Sequence, residues 1–125
     1  MEMVFGDWLR RNARKYPDKT AVLCERKRRT YRDFNVRVNR LANALNKLGL
    51  SPRDHVATLS YNAVELMEAY FANLKLGVPV VPLNGRYLSS ECLRYMQLTD
   101  STVLIFQDRM SDLVQAIRPQ LPGVK

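Results

Sequence analysis

The 125-residue sequence is poor in the residues that build reactive or covalently stapled sites. It holds one histidine, two cysteines, one tryptophan and five glycines. Cys24 and Cys92 lie far apart and in no metal or redox spacing, which excludes a disulfide framework and a cysteine-based zinc site. They read as buried free thiols of a reducing compartment, so the expected location is cytoplasmic. Gly6, Gly49, Gly77, Gly85 and Gly123 are isolated from one another. No loop therefore has the clustered glycines that let successive backbone amides converge on a phosphate. No apolar run is long enough to cross a bilayer, and the first residues lack a signal-peptide pattern. His55 has no Ser or Cys nucleophile pattern beside it and is expected near the surface, at the start of a strand.

What is present suits one folded domain over residues 1–125. Apolar residues make up 46% and charged residues 26%, enough of the first for a core and few enough of the second to be ordinary. The net charge of +8 is concentrated: residues 10–40 carry 12 of the 20 Lys and Arg but only three acids, Asp18, Glu25 and Asp33. Such a region attracts phosphate on nucleic acid, nucleotide or anionic lipid. It is also how the solvated face of two helices and a turn reads. One functional reading is thus a stand-alone polyanion-binding module using residues 10–40. Aromatics interleaved with the charges, as on a single-strand binding surface, are not evident, and no nucleic acid partner is expected.

Hydrophobic spacing divides the chain into alternating elements. Phe5, Trp8, Leu9, Ala13 and Tyr16 recur at helical intervals over residues 4–16, and Pro17 closes that segment. Thr20–Glu25 reads as a short strand, with Arg26-Lys27-Arg28-Arg29 as the hairpin turn into a second strand through Arg28–Thr30. The basic run also superficially matches a nuclear-localisation tract, a signal of low specificity. Thr30 with Asp33 approximates a capping box, and Phe34, Val38, Leu41, Leu45 and Leu48 form the apolar stripe of the helix that follows. Gly49 stops that helix, and a turn leads into a strand over His55–Leu59. Asn62 with Glu65 predicts the start of another helix, buried along Leu66, Met67, Tyr70, Phe71 and Leu74. Gly77 ends it, and Pro79 and Pro82 bracket a strand over Pro79–Leu83. Ser89 is expected to cap a helix carrying Cys92, Leu93 and Met96. A β-branched strand over Thr102–Phe106 precedes a last helix over residues 110–118. Strand and helix alternate from His55 onward, which predicts right-handed crossovers and an α/β fold. That fold is a parallel sheet in three layers, preceded by an N-terminal helix and a small hairpin.

Few side chains are placed for chemistry. Arg86 follows the Pro79–Leu83 strand in a glycine-containing loop, where parallel sheets place their ligands. A planar guanidinium there suits phosphate or carboxylate, or pairs with a nearby helix end or acid. Arg109 holds a similar place after the next strand, with Asp108 and Asp112 close enough to neutralise it. Glu65 and Glu68 share part of a helix face and are expected to be solvated. No residue is assigned to catalysis or metal binding, and the cofactor-binding residues are not identified.

Several short runs occur in a telling order: Lys15-Tyr16-Pro17-Asp18-Lys19-Thr20-Ala21, Thr30-Tyr31, Leu48-Gly49, Leu74-Lys75-Leu76-Gly77, Pro82-Leu83-Asn84 and Arg86-Tyr87-Leu88-Ser89. Together they resemble the opening of the AMP-forming acyl-CoA synthetases and their adenylating relatives, over residues 4–120. Members of that family activate a carboxylic acid with ATP to an acyl-adenylate, and most then transfer the acyl group to coenzyme A. Their phosphate loop, adenine- and ribose-binding residues and C-terminal lysine lie downstream of the matching segment. The resemblance therefore implies the N-terminal portion of an AMP-binding domain, a scaffold inactive alone, from a fatty or aromatic acid–CoA ligase. It implies no cofactor for this segment, and ATP, Mg and coenzyme A for the intact enzyme. The expected partner is the remainder of the parent enzyme, with self-association through apolar surface that the remainder would cover.

Overall fold

The computed structural model describes residues 5–125; Val4, at the start of the first expected helix, lies outside them. The order is α1 (Phe5–Lys15), β1 (Thr20–Cys24), β2 (Lys27–Thr30), α2 (Tyr31–Lys47), β3 (His55–Leu59), α3 (Val64–Leu76), β4 (Val80–Leu83), α4 (Ser89–Leu98), β5 (Ser101–Phe106) and α5 (Ser111–Ile117). β1 and β2 form an antiparallel hairpin, while β4, β3 and β5 form a parallel sheet in that order.

Alternate residues of a strand face opposite sides of a sheet, and this alternation builds the three layers. Ala57 and Leu59 of β3 pack with Cys92 and Met96 of α4 and Val114 and Ile117 of α5. Val56 and Val103 turn the other way, against Leu50 and Leu76. On that second side α1, α2 and α3 share the core of Leu9, Phe34, Val38, Ala42, Leu45 and Ala72. The expected α/β architecture, with its N-terminal helix and hairpin, is the one found.

Several local expectations are corrected. The hairpin turn is Glu25-Arg26, because Cys24 pairs with Lys27 and the strand continues through Arg28 and Arg29. Two residues suffice once one adopts positive φ, and Glu25 does, at 52°. In α2 the buried row is Phe34, Val38, Ala42 and Leu45; Leu48 falls past the end of the layer and is 46% exposed. The Thr30 cap is as expected, its hydroxyl oxygen accepting the Asp33 N–H at 3.2 Å. Asn62 does not cap α3, which starts after Ala63. Ser89 is the first residue of α4, whose cap position is Leu88, and Glu91 reaches back to accept the Leu88 N–H at 2.7 Å. The last helix is shorter than expected, because single 3₁₀ turns at Asp108–Met110 and Arg118–Gln120 flank α5.

The outer helices depart most from a one-stripe reading. α3 packs against both α1 and α2 as well as the sheet, so it is covered on several sides and buries Glu68, Ala69, Ala72 and Asn73, while Leu74 turns outward. Glu68 is not solvated: it grips Arg37 of α2 through both carboxylate oxygens, and Glu65 pairs with Lys27 of β2. In α1 only Gly6 and Leu9 are buried, leaving Phe5 79%, Trp8 51% and Tyr16 42% exposed. Gly6 is more than punctuation, since a Cβ there would sit 2.7 Å from the Cα of Lys75. Trp8 stacks on Phe71 with ring centroids 6.0 Å apart, and Phe71 meets Phe34 edge-on. Beyond α5 the chain returns to the sheet, where Lys125 donates its N–H to Thr102 and accepts that of Leu104.

Candidate functional site at the carboxyl ends of the strands

The chain leaves β3 for α3 on one face of the sheet and leaves β5 for α5 on the other. Neighbouring strands whose connections diverge in this way open a crevice beyond their carboxyl ends, the usual ligand position in parallel sheets. Here the crevice is a cavity of about 360 Å³ whose polar wall includes Lys27, Ser60, Glu65, Gln107 and Asp108, over a floor of Leu66, Ala69, Ile105 and Phe106. A second, more open hollow of about 410 Å³ extends past the end of β4, between Tyr61 and Arg86.

Gln107 ties the two sides together. Its backbone N–H bonds the Leu59 carbonyl at 3.0 Å, and its side-chain oxygen accepts the Tyr61 N–H at 3.2 Å. Tyr61 is then held from two directions. The Arg109 guanidinium lies 4.8 Å from its ring centroid, a cation–π contact. Gly85 lets the β4 loop approach the other way, since a Cβ there would stand 3.1 Å from the ring. At the cavity wall the Lys27 ammonium hydrogen-bonds Glu65 and holds its carboxyl below the ordinary value.

The expected candidates separate clearly. Arg86 is exposed at the carboxyl end of β4, and its backbone N–H is fixed by the Asn84 side chain at 2.9 Å. Among the described residues its guanidinium has no carboxylate partner, so the expected neutralisation by an acid is not found. Arg109 does not pair with Asp108 or Asp112 but lies over Tyr61. His55 sits at the opposite, amino end of β3, where its Nδ1 meets the Thr99 carbonyl. Both cysteines are free, with Cys24 only half-buried and Cys92 fully buried; burial pushes the Cys92 thiol up and makes it inert. Among the described residues no three His, Cys, Asp or Glu side chains gather as a metal site would require. Among them, too, no helix is long and apolar enough to cross a membrane. The crevice thus offers a free guanidinium, a held aromatic ring and amides, which bind and orient, beside the Ser60 hydroxyl and the Lys27–Glu65 ion pair. Tyr61 and Gln107 escape the sequence reading; their one signal is that each follows closely on a strand.

The sequence and the fold have counterparts among known proteins. The family model described as AMP-binding enzyme matches residues 9–124. A 3-oxocholest-4-en-26-oate–CoA ligase of Rhodococcus rhodochrous is 33% identical over 109 residues, 87% of this chain and 20% of that protein. A 2,3-dihydroxybenzoate-AMP ligase of Bacillus subtilis (strain 168) is 33% identical over 127 residues, 97% of this chain and 23% of that protein. The inhibitor-bound N-terminal domain of FACL13 from Mycobacterium tuberculosis superposes with a TM-score of 0.91 at 31% identity, covering all of this chain and 32% of that one. This chain spans about a fifth of the length of the curated relatives it matches. On sequence and fold together, the chain belongs to the AMP-binding enzyme family.

Proposed function

We propose that this chain is the opening scaffold of an ATP-dependent carboxylic acid–CoA ligase working in the cytosol on a fatty or aromatic acid, and that it is inactive alone. The observation that carries the reading is the crevice itself. It stands where parallel sheets bind ligands, and its Arg86 guanidinium, its Tyr61 ring and its backbone amides are groups that hold and orient. In this reading the sheet fixes the position of the site, Arg86 presents its guanidinium to an anionic group of a substrate, and Tyr61 keeps the crevice wall rigid. Mg–ATP and coenzyme A are handled mainly by residues outside this segment. The relatives support a carboxylic acid substrate: by name, one is a ligase for 3-oxocholest-4-en-26-oate and another for 2,3-dihydroxybenzoate.

The test is ATP–pyrophosphate exchange by the purified chain with a panel of fatty and aromatic acids. No exchange above background is expected, and robust exchange with any acid overturns the proposal. The proposal also expects self-association through Leu88, Leu98 and Phe106, which are 69%, 66% and 41% exposed. Light scattering that finds a clean monomer removes that part.

A further inference from the structure

Of the twelve cations of the basic N-terminal third only Lys27 lines the crevice, and the structure of the rest points elsewhere. Arg10, Lys27, Arg32 and Arg37 sit in ion pairs; the other eight have no carboxylate partner among the described residues. Part of that free charge lies on α1, whose inward side is Gly6 and Leu9. Trp8, Arg11 and Lys15, three and four residues apart, line up on one outward row of the helix. Arg14 is exposed beside them, and Phe5 projects at the first turn with 79% of its surface open. Past the helix end, the Lys15 and Lys19 ammonium groups stand 5.1 and 5.4 Å from the centre of the Tyr16 ring.

From this we infer that the outer face of α1 docks on an anionic lipid surface, with Phe5 and Trp8 entering the headgroup layer and Arg11, Arg14 and Lys15 meeting lipid phosphates. Two observations select a lipid surface over nucleic acid. Stacking on single strands needs free ring faces, but one face of Trp8 is covered by Phe71, and Tyr16 is approached by two ammonium groups. Rings with open edges beside Lys and Arg on a short polar helix are the composition of an interfacial anchor. Hydrophobic and electrostatic contributions then act together, as weak peripheral binding requires.

Trp8 is the sole tryptophan, so its emission reports on α1 directly. The 125-residue chain is mixed with vesicles of phosphatidylcholine alone or with added phosphatidylglycerol. A blue shift and co-sedimentation are expected only with the anionic lipid, fading as salt is raised. Reversing Arg11, Arg14 and Lys15 to Glu together is expected to weaken partitioning on the order of a hundredfold. Phe5→Ser touches no core contact and is expected to weaken binding several-fold while leaving its salt dependence unchanged; circular dichroism establishes that each variant is folded. Equal binding to neutral vesicles, no binding, or indifference to the triple reversal overturns the inference. So does capture by duplex or single-stranded DNA when vesicles fail to bind. If the triple variant does not fold, Phe5→Ser and the salt series decide the matter alone.

Discussion

Replacing Gly6 with alanine tests whether α1 is held by close backbone contact. The new Cβ would lie 2.7 Å from the Lys75 Cα and 3.0 Å from the Leu74 carbonyl oxygen. Carbon pairs rest at about 3.5–4.0 Å, so the overlap is roughly 1 Å. The obstacle is backbone, which cannot rotate aside as a side chain would. α1 must therefore lift from α3, loosening Leu9, which is fully buried, and the stacking of Trp8 on Phe71. Overpacking of this kind costs about 1–3 kcal/mol, while alanine's helical preference returns about 0.5–1 kcal/mol. The net loss is about 1–2 kcal/mol, a fall in unfolding midpoint of roughly 5 °C for a chain of this size. Thermal unfolding followed by circular dichroism measures it, and Trp8 emission should shift to the red as its ring is uncovered. Asn43→Ala, on the exposed side of α2, is the control and should gain a few tenths of a kcal/mol. A Gly6→Ala midpoint at or above that of the unaltered chain refutes the reasoning.

Other perturbations probe the remaining contacts. Glu68→Ala should cost about 1–3 kcal/mol in urea unfolding, less than for a fully buried pair because the Arg37 side chain keeps 43% of its surface in water. The double change Arg37→Met with Glu68→Met should recover most of that loss; if the double variant is no more stable than Glu68→Ala, the pair is not the cause. Asp54 accepts hydrogen bonds from the Ser51 backbone at 2.6 Å and hydroxyl at 2.9 Å and from the Thr102 hydroxyl at 3.0 Å, which hold its carboxyl below the ordinary 3.8. The native state therefore binds that proton more weakly than the unfolded chain. Its stabilisation is complete above about pH 4 and is lost as pH falls through the lowered value. Asp54→Asn should flatten this part of the acid limb in urea midpoints taken across pH, and an unaltered limb would contradict the assignment.

From His55 onward the fold was legible because its signals are local. Helical and strand periods alternate, and Gly77, Pro79 and Pro82 punctuate them within a few residues. The hairpin was misplaced because four consecutive cations do not encode a turn type; Glu25 at positive φ does, and glutamate does not advertise it. The burial of Glu68 depends on Arg37, 31 residues earlier, and no helical period reports such a distant neighbour. The same limit applies to the crevice. Arg86 was readable from its place after a strand, whereas Gln107 and Tyr61 acquire their roles only when β5 lies beside β3, which joins residues 46 apart. Phe5 and Trp8 read as core by spacing, but α1 is only eleven residues long and has one side to bury, so they stay outside.

The two borders of the parallel sheet have unequal capacities to grow. On β4 the bond from the Val56 N–H to the Pro79 carbonyl sets the alternation that turns Pro82 outward, where it has no N–H to donate. On β5, Thr102 and Leu104 already exchange bonds with Lys125 in a parallel sense, and the same alternation turns Phe106 toward that border. Further β-structure can therefore extend the sheet beside β5 and is discouraged beside β4. Any larger assembly of strands built on this sheet inherits a fixed direction of extension, decided by one imino acid and two backbone bonds.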